Sequence, residues 1–194
     1  MDKYSNIIYL DVDAVLTNPT ADFLSMLNEK TGTNYVIEDV SAFEYIKCLP
    51  KEHAEMLLEM WKSSSLYDNR EADQKALKAL AKMRTFARVV ALSGPVVGHV
   101  DSKLRWLIEH CGFLKKDTII ANDKSIMRGA VLIDDLIENL TEFEGERICF
   151  AQPWNTKWDT KLGIRTDDWR KIVQKAREAI CKKPDPKPSA RRRK

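Results

Sequence analysis

No stretch of about 18 uncharged apolar residues occurs in this 194-residue chain, so no membrane-spanning helix is expected. The opening MDKYSN has neither the basic nor the apolar block of a signal peptide, which makes a cytoplasmic location the expectation. Four cysteines, Cys48, Cys111, Cys149 and Cys181, form no CxxC pair. That spacing speaks against a zinc knuckle or thioredoxin-like motif and for reduced structural thiols. His53, His99 and His110 lack metal-ligand spacing and read as structural or exposed. Neither a GxxxxGKS/T loop nor a GxGxxG loop is present, so an ATPase or a dinucleotide enzyme would have no recognisable phosphate cradle.

What is present fits an ordinary globular chain. Hydrophobic residues make up 44% and charged residues 31%, which excludes disorder or a fibrous class for the bulk. The length suits one domain, or one domain with an insertion. Charge is uneven: residues 181–194, CKKPDPKPSARRRK, carry seven Lys or Arg against one Asp, or +6 in a chain of net charge +3. The body is therefore weakly acidic, and nucleic-acid contact is expected only through this Pro-rich, disordered tail. Such contact would be weak and salt-sensitive.

Along the chain, IIYL is a short buried run, followed over residues 20–62 by helical spacing alone, with Phe23, Leu24 and Leu27, then Met56, Leu57, Met60 and Trp61. A helix is expected over residues 72–83, with Ala76, Leu77, Leu80 and Ala81 on its apolar stripe. From Arg88 onward, VVAL, TIIA, AVLI and ICFA alternate with helical segments, one of which has Leu104, Leu107, Ile108 and Cys111 on one face. A last helix is expected over residues 167–180. Short apolar runs with helical crossovers imply an α/β fold with a parallel sheet covered on both faces.

Ligands bind beyond the carboxyl ends of such strands. The residues there are Asp11 and Asp13, Ser93, then Asn122, Asp123 and Lys124, and finally Asp134 and Asp135. Clustered carboxylates repel unless they share a cation, and an all-oxygen site suits Mg²⁺. A hydroxyl and an ammonium at the same edge suit phosphoryl oxygens. One aspartate can form an aspartyl-phosphate, and Asp13, two residues on, can point the same way and handle the proton. A response-regulator receiver uses similar groups, but its lysine comes last, whereas Lys124 precedes the acidic pair; the order favours a hydrolase.

With these residues assembled, the chain resembles the haloacid dehalogenase (HAD) superfamily of aspartate-nucleophile phosphatases. DVDAVLT is similar to the first motif, ALSGP to the second, ANDKS to the third and VLIDD to the fourth. A closer similarity is to the 5′(3′)-deoxyribonucleotidase family, through KLRWLIEHCG, IIANDKSIMRGAVLIDD and TDDWRKI, over most of residues 7–175. The resemblance implies a Rossmannoid three-layer sandwich, with a core over residues 1–17 and 81–181, a helical cap over 18–80 and the basic tail over 182–194. It implies Asp11 as nucleophile, Asp13 as acid/base, and Ser93, Gly94 and Lys124 as phosphate-binding residues. The implied Mg²⁺ ligands are Asp11, Asp13, Asp134 and Asp135, with Asp135 the direct one of the last pair.

The implied activity is Mg²⁺-dependent hydrolysis of nucleoside monophosphates, with Trp61 in the cap as the base-holding aromatic and Phe43, Tyr45 and Tyr67 as weaker candidates. Core packing competes with that role for Trp61, which lies on an apolar stripe. Ala14 stands where the family usually has glycine, and Pro19 where an aromatic is common. Two alternatives stay open: a polynucleotide 3′-phosphatase or other small-molecule phosphatase of this superfamily, and a non-catalytic nucleic-acid-binding protein. A second copy of the chain is left open as a partner.

Overall fold

The computed structural model describes residues 4–95 and 98–181; the expected basic tail, residues 182–194, lies outside them. Six parallel strands form one sheet: β1 (Ile7–Leu10), β2 (Arg88–Ser93), β3 (Thr118–Ile120), β4 (Val131–Asp134), β5 (Glu146–Phe150) and β6 (Gly163–Thr166). Their order is β3-β2-β1-β4-β5-β6. β1 therefore sits at the centre, paired with β2 on one side and β4 on the other. The chain reverses its winding direction between β1 and β4, where parallel sheets open a crevice at their carboxyl edge.

Side chains alternate between the two faces of the strands. Ile8, Leu10, Val89, Ala91, Val131, Ile133 and Ile148 join a core with α3 (Gln74–Arg84), α4 (Val100–Glu109) and α6 (Trp169–Cys181). Ile7, Tyr9, Val90, Leu92, Leu132 and Cys149 face the opposite layer, with Phe143, Trp158 and Leu140 of α5 (Ile137–Thr141). These are the three layers of an α/β sandwich, as expected.

Between β1 and α3 lie two further helices, α1 (Pro19–Thr31) and α2 (Lys51–Trp61). Pro19 occupies the first turn of α1, where its missing N–H costs nothing, and Asn18 Oδ1 accepts from Thr20 N at 3.2 Å. Gly32, at φ +70°, closes the helix by donating its N–H to Asn28 O. Phe23, Leu24, Leu27, Val40, Tyr45, Leu49, Ala54 and Leu57 form a small core of their own, separate from the two on the sheet.

Two local expectations need correction, and one strand was not anticipated. The boundary expected at residue 80 falls inside α3, whose Ala76, Ala79, Leu80 and Met83 pack on the sheet rather than on α1 and α2. The inward face of α4 is Ser102, Lys103, Trp106 and Leu107, whereas Ile108 is exposed; the stripe is rotated toward Lys103, which is held inside by its ion pair with Asp13. β6 has no apolar run, since GIRT is a half-buried edge strand. Among the described residues, no helix is long and apolar enough to cross a membrane.

Leu80 is fully buried against the sheet. Leu80→Ala is expected to lower stability by about 2–5 kcal/mol, measured by urea unfolding, and to shift the transition of the sheet core rather than that of the α1–α2 core.

Candidate active site

The main chain turns sharply where β1 ends. Val12 O accepts from Leu16 N at 2.9 Å and from Thr17 N at 3.2 Å. Ala14 takes the left-handed conformation at φ +59°, which costs a non-glycine residue about 1–2 kcal/mol. Its carbonyl accepts from Gln152 Nε2 at 2.6 Å, so the strained turn is held from the loop after β5. The result is that Asp11 and Asp13 both line the cleft above the sheet, but in different company.

Asp11 meets Lys124, Asp134 and Asp135. Lys124 Nζ lies 2.7 Å from Asp11 Oδ1 and 2.7 Å from Asp134 Oδ2. All four side chains are buried. Burial opposes the charge on Lys124, but the two carboxylates more than offset it and raise its pKa. One carboxylate oxygen each from Asp11, Asp134 and Asp135 lies within 4.8 Å of the others. A single ammonium does not balance three carboxylates in a buried site. Burial, and then the charge of Asp11, push Asp134 up to about 6; the same causes raise Asp135 well above the usual carboxylate range.

This donor set fits a hard divalent cation, which takes oxygen ligands and would relieve the repulsion. Both oxygens of Asp134 are already engaged: Oδ2 by Lys124, and Oδ1 by Leu136 N at 2.9 Å and Asn139 Nδ2 at 3.0 Å. Among the described residues, only Oδ2 of the Asp135 carboxylate is engaged, by Trp154 Nε1 at 2.8 Å, while its main-chain carbonyl accepts from Asn155 Nδ2. Asp11 and Asp135 are thus the carboxylates best able to face an ion, with Asp134 bracing Lys124.

The carboxylate of Asp13 is not in this cluster, contrary to the expected ligand set. Its Oδ2 accepts from Lys103 Nζ at 2.6 Å and from Ser93 Oγ at 3.5 Å, and its Oδ1 accepts from the Tyr67 hydroxyl. Lys103, on the inward face of α4, also donates to Ser93 Oγ at 2.8 Å and to Gly94 O at 3.4 Å. Ser93 and Gly94 are therefore brought beside Asp13, and Gly94 lines the cleft. Asp123 turns outward, its Oδ1 accepting from Ser125 N and Oγ.

The cleft encloses about 1550 Å³ and extends from Asp11 to the α1–α2 unit, past Trp154, Tyr45, Phe43 and Trp61. Trp61 is half-buried; its ring meets Phe23 edge-on at 5.3 Å, and its Nε1 donates to the Tyr45 hydroxyl at 2.7 Å. Core packing and cleft lining, the two competing readings, coincide in this side chain. Tyr67 is fully buried and committed to Asp13, so it is withdrawn from the cleft wall.

Three residues of the network lay outside the sequence reading of the site, Lys103, Asn139 and Trp154, and Tyr67 was read there as a base-holding aromatic and not as a partner of Asp13. Lys103 did leave a signal, sharing a stripe with Trp106 and Leu107 at i+3 and i+4. Trp154 follows a strand as the recognised residues do. Asn139 left no signal.

Comparisons with known proteins bear on the family and the fold. The family model described as "5' nucleotidase, deoxy (Pyrimidine), cytosolic type C protein" matches residues 5–180. A 5′(3′)-deoxyribonucleotidase of Bacillus subtilis is 23% identical over 173 residues, which are 87% of this chain and 97% of that protein. One from Clostridium acetobutylicum is 22% identical over 161 residues, 82% and 88% of the two chains. Among solved structures, a haloacid dehalogenase-like hydrolase from Streptococcus pneumoniae aligns with TM-score 0.57 at 8% identity, covering 87% of this chain and 97% of that one. A HAD hydrolase of Bacillus subtilis solved with magnesium aligns with TM-score 0.53 at 12% identity, covering 89% and 98%. These structures share the fold.

Without a divalent cation, Asp135→Asn removes one of three crowded carboxylates and is expected to raise the melting temperature relative to the parent at pH 7.5. A carboxylate whose folded pKa is raised costs stability that builds up as pH rises from its unfolded pKa to its folded one, so the gain should shrink as pH falls and vanish at about pH 3.5, below the unfolded value, where the carboxyl is protonated in both states. Adding divalent cation should stabilise the parent and not the variant, reversing their order; melting scans at both pH values, with chelator and with cation, measure it.

Proposed function

Because the chain belongs to the family of deoxy (pyrimidine) cytosolic type C 5′-nucleotidases, phosphatase hydrolases of HAD-like fold, we propose that it hydrolyses nucleoside monophosphates, 5′(3′)-deoxyribonucleotides foremost, through a phosphorylated Asp11. The observation that carries this reading is the division of the two aspartates. Asp11 is held by Lys124 beside two further carboxylates, and Asp13 is held apart by Lys103, Tyr67 and Ser93. Relatives named 5′(3′)-deoxyribonucleotidase align over nearly their whole length, and the cleft is roomy enough for a nucleotide between aromatic walls.

In this reading a carboxylate oxygen of Asp11 attacks the phosphorus, and the bond from phosphorus to the ester oxygen breaks. Asp13 acts as the acid that passes a proton to the departing oxygen, and Lys103 and Tyr67 hold the carboxylate left behind. That carboxylate next takes a proton from water, whose oxygen attacks the phosphorus and releases inorganic phosphate and the Asp11 carboxylate. Lys124 steadies Asp11 and faces the phosphoryl oxygens together with Ser93 and Gly94. Mg²⁺ bound by Asp11 and Asp135 would supply charge to the phosphoryl oxygens. The aromatic wall at Trp61 holds the base.

Asp11→Asn is expected to lower kcat by roughly 10⁴-fold or more while far-ultraviolet circular dichroism stays unchanged. A phosphate-release panel of common nucleoside 5′- and 3′-monophosphates with Mg²⁺ should show the deoxyribonucleotides turned over best. Preference for sugar phosphates, or full activity of Asp11→Asn, would overturn the reading.

A further inference from the structure

His99 is fully buried immediately before α4 and lies between the cleft wall and the Asp13 network. Its Nδ1 is 2.7 Å from the main-chain oxygen of Trp61. A carbonyl only accepts, so Nδ1 carries the hydrogen and donates it. Nε2 then holds a lone pair, and among the described residues it meets no partner. Burial pushes the ring's pKa down, and the charge of Lys103 acts the same way, while the bond to Trp61 and the charge of Asp13 oppose them; the neutral ring results.

The oxygen it binds belongs to the last residue of α2, a carbonyl that no further helical turn can satisfy. Gly98 allows the approach: at φ +111° it lies so close to Lys62 that an added Cβ would be 2.7 Å from Lys62 O. The imidazole ring also sits 6.1 Å from the Trp61 indole and 5.5 Å from Tyr67, whose hydroxyl donates to Asp13. One side chain thus touches both the end of the helix that carries the aromatic wall and the tyrosine that holds the second aspartate.

We propose that His99 is a positioning residue for nucleotide binding, capping the end of α2 so that the Trp61 wall is set at a fixed place relative to Asp13. The inference rests on the reading of Trp61 as the base-holding wall. Its signature is a split between two substrates: the base of a nucleotide needs the wall, whereas a simple aryl phosphate needs only the sheet edge.

Two polar variants test it. In His99→Asn the amide nitrogen stands near the Nδ1 position and keeps the bond to Trp61 O; in His99→Gln the donor moves toward the Nε2 position and loses it. His99→Gln should raise KM for deoxyribonucleotides roughly tenfold, leave KM for para-nitrophenyl phosphate unchanged, and weaken the quenching of tryptophan fluorescence by added nucleotide, while any change in kcat passed on through Tyr67 falls equally on both substrates. His99→Asn should restore KM to within about twofold. Equal KM values for Asn, Gln and parent, or equal rises in KM on both substrates, would overturn the proposal. A parent enzyme that binds the aryl phosphate as well as the nucleotide would overturn the wall reading, and the positioning role with it. Poor folding of either variant would show as a lowered melting temperature, and His99→Leu, which removes the donor without a polar group to bury, then serves as the comparison expected to behave as His99→Gln.

Discussion

Three buried carboxylates around one ammonium are the constraint on which the rest of the structure depends. Asp11 leaves β1 and Asp134 and Asp135 close β4, neighbours in the sheet. Holding them together at neutral pH costs on the order of a few kcal/mol for Asp134 alone, judged from its upward shift to about 6. The apolar interior offsets that cost. β1 and β4 are buried on both faces, so their carboxyl ends cannot part without exposing Ile8, Leu10, Val131 and Ile133. A site in which charge repulsion is imposed by packing is one that gains most from a cation and from the charge shifts of phosphoryl transfer.

The second aspartate shows how a two-residue spacing can separate roles. Val12 turns the chain and the left-handed Ala14 completes the turn, so Asp13 leaves the carboxylate cluster and enters one built on Lys103. Lys103 is buried on α4, which crosses from β2 to β3, and its ammonium reaches Ser93 at the end of β2. The helix that covers the sheet therefore also sets the charge around Asp13. On the far side of the cleft, α1 and α2 keep a small core of their own, so the aromatic wall is supported independently of the sheet that carries the carboxylates. The end of α2 and the turn at Gly98 and His99 are where the two meet.

Much of this was legible in the order of residues because buried parallel strands have no polar face. IIYL, VVAL, AVLI and ICFA announce themselves, and the acids, hydroxyl and lysine after them mark the reactive edge. β6 did not, since an edge strand reading GIRT carries no apolar run. The face of α4 was misjudged because a lysine in a helix ordinarily points to water, while Lys103 is held inside by its ion pair with Asp13. Tyr67 was visible as an aromatic, but its hydroxyl partner lies 54 residues away in the chain. Such a pairing is set by tertiary folding and leaves no local pattern. The same holds for α3, whose helical spacing was plain while its choice of the sheet over α1 and α2, with Ala79 and Met83 inward and Ala81 exposed, was not.

The central claim is that Asp11 attacks phosphorus directly and that water acts only in a second displacement. Hydrolysis of a nucleoside monophosphate made chiral at phosphorus with oxygen isotopes tests it most directly. Two in-line displacements predict inorganic phosphate with retained configuration. Inversion, the outcome of a single attack by water, would contradict the account.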